Sequence, residues 1–164
     1  MKVAIIMGSN SDWPILEPAE ITLKEFGVEV EVVVASAHRT PNLVHEFAAG
    51  ARDRGVEVII AAAGLAAHLG GVIAAFTTVP VIGIPIAGGP LNGVDALLSF
   101  VQMPPGIPVA TMAINGAKNA AIYAVQMLSI KYPELVEKLA ANRAKMEAEV
   151  IAKGEKLAAE RGNN

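Results

Sequence analysis

The segment Ser36-Ala37-His38-Arg39-Thr40-Pro41 sets an imidazole beside a guanidinium, a proton shuttle next to an anion clamp. An imidazole titrates near neutrality and can both give and take a proton. A guanidinium is a permanent planar fork for phosphate or carboxylate. Two further segments could join this pair. Gly8-Ser9-Asn10-Ser11-Asp12 supplies hydroxyls, a carboxylate and a glycine that admits a ligand close to the backbone, and His68 adds a second imidazole among small apolar residues. A histidine in a polar loop is, on its own, most simply an incidental one. Here each of the three segments follows directly on an apolar run, in a chain otherwise dominated by Ala and Val. Three polar exits from three strands read as one site.

The elements that must position them alternate along the chain. Lys2 to Met7, Val28 to Ala35, Val56 to Ala62, Val79 to Ile84 and Val109 to Ile114 read as strands, near-continuous apolar runs of the kind buried on both faces of a parallel sheet. Helices are expected from an Asp12 cap to about Phe26, from Thr40-Pro41 to about Arg54, and over Ala66 to Phe76, Leu91 to Val101 and Ala117 to Lys131. Pro18 predicts a kink or a late start in the first of these. A charged helix from Glu134 to about Glu160 carries Leu135, Leu139, Met146, Val150 and Leu157 as one apolar stripe. The whole predicts a single α/β domain over 1–164, with a core at 1–132 and a C-terminal helix at 133–164 that docks on a neighbouring subunit. The expected architecture is a three-layer, doubly wound parallel sheet of flavodoxin-like order 2-1-3-4-5.

Composition narrows the function. The 164 residues are 53% hydrophobic with a net charge of −3. That balance offers no electrostatic footprint for nucleic acid. No apolar run approaches the roughly 18–20 residues of a membrane span, so no membrane partner is expected. Without cysteine there is no disulfide, thiolate nucleophile or thiolate metal site. Met1 leads straight into the first strand with no leader-like segment, so a cytoplasmic location is expected.

In the predicted strand order, the loops after strands one, two and three meet where ligands collect on such sheets. Gly8 and the amides opening the next helix suit an anion, Ser9 and Ser11 add hydroxyls, and Asp12 suits sugar hydroxyls rather than phosphate. A phosphate borne on a ribose satisfies all of them. Dinucleotide and P-loop fingerprints fail: no G-x-G-x-x-G turn is present, and Val94 and Asp95 stand where a P-loop needs Lys and Ser or Thr. His38, His45 and His68 share no metal-ligand spacing, and His45 reads as a structural or solvated residue of the second helix.

Met7-Gly8-Ser9-Asn10-Ser11-Asp12, Ser36-Ala37-His38-Arg39-Thr40-Pro41, Ala66-Ala67-His68-Leu69, Leu91-Asn92-Gly93-Val94-Asp95, Val101-Gln102-Met103-Pro104 and Asn119-Ala120-Ala121 occur in this order. From Val3 to about Tyr132 the chain thereby resembles the class I N5-carboxyaminoimidazole ribonucleotide mutases of de novo purine synthesis. Class II relatives, which carboxylate aminoimidazole ribonucleotide directly, typically have Lys after the first histidine and lack the second, so Arg39 and His68 favour class I. The chain departs from the usual pattern at Leu65 and Gly70, where Gly and Pro are customary, and at Gly88, near which a Ser is common. Leu65 adds bulk beside the site, and Gly70 is expected to loosen its loop.

The resemblance implies a carboxylate moved from an exocyclic nitrogen to carbon 4 of the same imidazole, without metal, ATP, biotin or other cofactor. His38 would be the general acid/base and His68 would orient the carboxylate or CO2. Gly8, Ser9, Ser11, Asp12, Ser36 and Arg39 would bind the ribonucleotide, and Ala66, Ala67 and Leu69 would form apolar walls that retain CO2. A homo-octamer is implied, with Leu139, Met146 and Val150 between subunits. Three alternatives stay open: a direct CO2-fed carboxylase, a non-catalytic phosphoribosyl- or flavin-binding module, and a structural oligomer with a decayed site.

Overall fold

β1 (Lys2–Met7), β3 (Val58–Gly64) and β4 (Val81–Ile86) are the buried centre of a five-stranded parallel sheet in the computed structural model, which describes residues 1–162. β2 (Glu29–Val34) and β5 (Ala110–Thr111) flank them, giving the order β2-β1-β3-β4-β5. This is the expected order. Central strands of a parallel sheet are covered on both faces, and β1, β3 and β4 are accordingly apolar nearly throughout. At the edge, β2 alternates Glu and Val and keeps Val32 and Val34 exposed.

Among the described residues, α1 (Trp13–Glu25), α2 (Pro41–Ala49), α3 (Leu69–Phe76), α4 (Val94–Val101) and α5 (Ala117–Ser129) cover the sheet, and α6 (Glu134–Gly162) packs against α5. Side chains alternate across the strands into two cores. Val3, Ile5 and Met7 pack with Leu16, Leu23, Ala121 and Val125 on one face. Ala4 and Ile6 pack with Val44, Phe47, Ile73 and Phe100 on the other. Leu135 closes the first core while Met146, Val150 and Leu157 stay exposed, so α6 is anchored only at its start. The expected C-terminal segment ends at Asn163 and Asn164, which lie outside the described residues.

Several boundaries differ from expectation. The fifth strand is two residues long rather than six. Pro85 of β4 accepts from Asn115 N at 2.8 Å on the β5 side. Its missing N–H faces the same side, so the ladder cannot continue there. α1 begins at Trp13 and runs through Pro18 without a late start. Pro14 and Pro18 are both exposed, so water can meet the carbonyl that Pro18 leaves unbonded. α3 and α4 each begin three residues late: the turn at Leu65 (φ 56°) runs on irregularly through Ala66, Ala67 and His68, and Asn92 (φ 54°) and Gly93 (φ 91°) are left-handed and so stand outside α4. α2 stops at Ala49 rather than Arg54, with irregular turns leading to Gly55 at φ 78°.

Gly70 does not loosen its loop. It lies buried in the first turn of α3, where an added Cβ would stand 2.5 Å from Phe100 Cε1. Gly83 meets the same ring at 2.4 Å, so Phe100 fills a slot cut by two absent side chains.

Candidate active site

The loops leaving β1, β2 and β3, joined by the loop after β4, enclose a cleft of about 750 Å³ at the carboxyl ends of the strands. One wall is polar, formed by Ser9, Ser11, Asp12, Ser36, His38 and Arg39; across from it Ala63, Leu65, Ala67, Ile86 and Ala87 form an apolar wall. Parallel strands deliver this arrangement directly, because every chain exit from such a sheet is at the same rim.

Arg39 ties the first two loops together. Its Nη2 donates to Gly8 O at 2.9 Å and its Nε to Ser36 Oγ at 3.5 Å, while its backbone N–H reaches Ser36 Oγ at 3.3 Å. The rest of its five donors remain for an anion. Thr40 does not cap α2 as expected. Its Oγ1 accepts from Ser36 N at 2.8 Å and donates to Ser36 O at 3.1 Å, which turns the chain tightly and projects His38 and Arg39 outward. Asp12 likewise makes no side-chain cap for α1; Ser9 caps the short 3-10 turn Asn10–Asp12 before it by accepting from Ser11 N at 3.3 Å, and Ser11 Oγ donates to Ser9 Oγ at 2.8 Å.

Burial raises the Asp12 carboxyl above its ordinary range; hydrogen bonds from the Ser11 hydroxyl and the Ser9 backbone pull the other way without cancelling it. A half-buried carboxylate without a cation is a group waiting for a donor, and ribose hydroxyls are donors of the right kind.

The structure brings Gly8, Ser9, Ser11, Asp12, Ser36, His38, Arg39 and Ala67 to the cleft. It leaves out three expected residues. Leu69 is 1% exposed and belongs to the core with Ile73 and Phe100, because it opens a helix that lies flat on the sheet. Ala66 and His68 are exposed beside the cleft rather than in its lining. Conversely Ile15, Ala63, Gly64, Ile86 and Ala87 line it without having been singled out in the sequence. The only signal for Ala63, Gly64, Ile86 and Ala87 was position at the ends of β3 and β4, and Ile15 lies in the first turn of α1. His45 is exposed on α2, edge-on to Phe76 with ring centroids 4.6 Å apart, away from the cleft. Among the described residues, no three His, Asp or Glu side chains come together as a metal-holding group.

A second depression, about 950 Å³, lies at the opposite rim of the sheet, lined by Arg52, Phe76, Thr78, Pro80 and neighbours. It is larger but chemically poorer, since Arg52 already donates to Thr78 Oγ1 at 3.0 Å.

Residues 2–149 match the family model described as AIR carboxylase. The N5-carboxyaminoimidazole ribonucleotide mutase of Pyrococcus abyssi is 61% identical over 145 residues, 88% of this chain and 83% of that protein. The mutase of Thermotoga maritima is 52% identical over 156 residues, 95% of this chain and 91% of that protein. Among solved structures, PurE of Treponema denticola superposes with a TM-score of 0.83 at 28% identity, covering 95% of this chain and 98% of that one.

Proposed function

The chain belongs to the AIR carboxylase family, and from that premise we propose that it is an N5-carboxyaminoimidazole ribonucleotide mutase of purine biosynthesis. The observation that carries this reading is the two-sided cleft: His38 and Arg39 share one wall with hydroxyls and a carboxylate, and the other wall is aliphatic. A charged ribonucleotide fits the first side and a released CO2 molecule the second.

The substrate's phosphate lies against the free donors of Arg39 and the Ser9–Ser11 turn, with Gly8 allowing close approach and Ser36 holding Arg39 in place. Asp12 accepts from the ribose hydroxyls. His38 gives a proton to the exocyclic nitrogen as CO2 departs, then takes the carbon-4 proton after CO2 has added there. One imidazole serves both steps, because giving its proton to nitrogen leaves it as the base that the second step needs. Ala67, with Ala63 and Ile86, keeps water from the intermediate. His68 and Ala66 reach the carboxylate from the rim of the cleft.

The protein is one domain, with its α/β core at 1–132 and the helix from 133 docked on a neighbouring subunit of a homo-octamer. The exposed Met146, Val150 and Leu157 motivate this part, since contiguous apolar surface on a helix wants a cover. Light scattering tests it; a monomer at micromolar concentration would end it. Among the described residues no helix is long and apolar enough to cross a membrane, and a cytoplasmic location suits a small-molecule biosynthetic enzyme.

Purified protein given N5-carboxyaminoimidazole ribonucleotide should form 4-carboxyaminoimidazole ribonucleotide without ATP or added metal. The family description itself motivates a second reading, direct carboxylation of aminoimidazole ribonucleotide by CO2. Faster turnover with aminoimidazole ribonucleotide and bicarbonate than with the N5-carboxylated compound would select it instead.

A further inference from the structure

Leu65 is the residue of this site whose presence is hardest to explain by folding alone. It sits at φ 56° immediately after β3. A branched side chain there is disfavoured relative to glycine, because its Cβ crowds the backbone. It is also 54% exposed, so its burial in the folded chain does little to offset that strain.

What the left-handed backbone achieves is placement. Gly64 pairs with Ile86 at the last register position of β3 and β4. One residue later, Leu65 turns back over the loop that leaves β4. A Cβ built on Gly89 would stand 2.5 Å from Leu65 Cδ2, so the leucine methyl occupies the space beside that glycine. Gly89 is itself left-handed at φ 62°. The base of the same loop is pinned by Asn115, whose Oδ1 accepts from Ala87 N at 2.8 Å. Leu65, Gly88 and Gly89 all line the cleft. An aliphatic side chain thus bridges two loops across the apolar wall, with its other face open to whatever the cleft holds.

We propose that Leu65 is a positioning residue that closes the apolar end of the cleft by holding the Gly88–Gly89 loop down, so that CO2 released there is recaptured rather than lost. The inference rests on the mutase reading. In that reaction the bond from nitrogen to the carboxyl carbon breaks, its electron pair stays on nitrogen, and nitrogen takes up a proton. CO2 then adds to carbon 4, whose proton leaves to the base. If CO2 escapes between the steps, the products are aminoimidazole ribonucleotide and CO2. Leu65 bears on that partition, not on the proton transfers.

The test measures, for each variant given N5-carboxyaminoimidazole ribonucleotide, the fraction of turnovers ending in aminoimidazole ribonucleotide, with released CO2 trapped to prevent rebinding. Leu65→Gly removes the cover and relaxes the backbone. Leu65→Asn keeps similar bulk and tolerates a left-handed backbone but is polar. Leu65→Met keeps an aliphatic reach. Leakage should rise roughly fivefold in Leu65→Gly and Leu65→Asn, the effect of losing about half a leucine's apolar contact, and should stay near wild type in Leu65→Met. Tm should hold or rise in Leu65→Gly, which separates closure from folding. Unchanged partition in both Gly and Asn variants overturns the proposal. A wild-type protein that does not convert the N5-carboxylated substrate at all overturns the mutase reading, and this inference with it.

Discussion

At the amino-terminal rim of the sheet Glu57 is held by Lys131 Nζ at 2.8 Å, by Tyr132 OH at 2.8 Å and by the Met1 ammonium at 3.9 Å. At the carboxyl rim Asp12 has two serines and, among the described residues, no cation. Both carboxyls are partly withdrawn from water, yet they respond oppositely. Burial pushes Glu57 up, but hydrogen bonds from Lys131 and Tyr132, with the nearby positive charges, more than reverse it, and Glu57 ends below its ordinary range. Asp12 ends above its own. One rim saturates its charges with partners from the same chain and so contributes stability. The other leaves a carboxylate, a guanidinium and an imidazole available, and accepts a stability cost for it.

The sharpest way to break that contrast is at His38. His38→Asn keeps polarity and loses proton transfer, so turnover should fall at least about 100-fold with substrate still bound, the lower end of what general acid–base catalysis supplies. Near-wild-type turnover would remove His38 from the chemistry, and a larger loss in His68→Asn would exchange the two histidines' roles. Next is Arg39→Ala. Losing charge-assisted contacts should weaken substrate binding by about 1.5–3 kcal/mol, read by calorimetry; unchanged affinity places the phosphate elsewhere.

Glu57→Gln probes the structural rim. Tm at neutral pH should drop by about 2–4 °C, the shift for roughly 1 kcal/mol in a chain of this size, while kcat does not change. Because Glu57 is depressed in the folded state, its contribution is present above its ordinary pKa of 4.5 and is lost as pH falls through the lower, folded value. Wild type should therefore lose stability below about pH 4.5 more steeply than Glu57→Gln does. Parallel acid profiles would show that the cluster is decorative. The smallest expected effect is at Asp12, where the sign inverts. A raised folded pKa means that ionisation costs stability once pH rises through it, so Asp12→Asn should be neutral or stabilising at pH 7 by roughly a few tenths of a kcal/mol. The same variant should discriminate less against a deoxyribose analogue. Destabilisation at pH 7 would make Asp12 a scaffold residue.

Where local chemistry sufficed, the fold was legible in advance. β1, β3 and β4 announce themselves as apolar runs, their alternation with helices points to a parallel sheet, and the order 2-1-3-4-5 was expected as a common one for such sheets. The loops after β1 and β2 likewise declare Ser9, Ser11, Asp12, His38 and Arg39. Other features depended on partners distant in sequence. The length of β5 turns on which way the Pro85 nitrogen faces, and Gly70 takes its meaning from Phe100. Leu69, adjacent to a histidine in a polar-looking motif, belongs to the core because α3 starts there rather than at Ala66.

The sequence alone established that this chain alternates strands and helices as a parallel α/β sheet does, that it has no thiol chemistry, and that imidazole, guanidinium, hydroxyl and carboxylate groups stand at its strand ends. Periodicity and strand-end position are local properties, and a sequence displays them directly. Only the tertiary structure decided which wall faces which. It put Ala63, Leu65 and Ile86 opposite His38 and Arg39, left Ala66 and His68 at the margin, and turned Leu65 over Gly89. Those outcomes depend on register across the sheet and on single left-handed residues, which direct a side chain to one neighbour or another with no trace in the surrounding pattern.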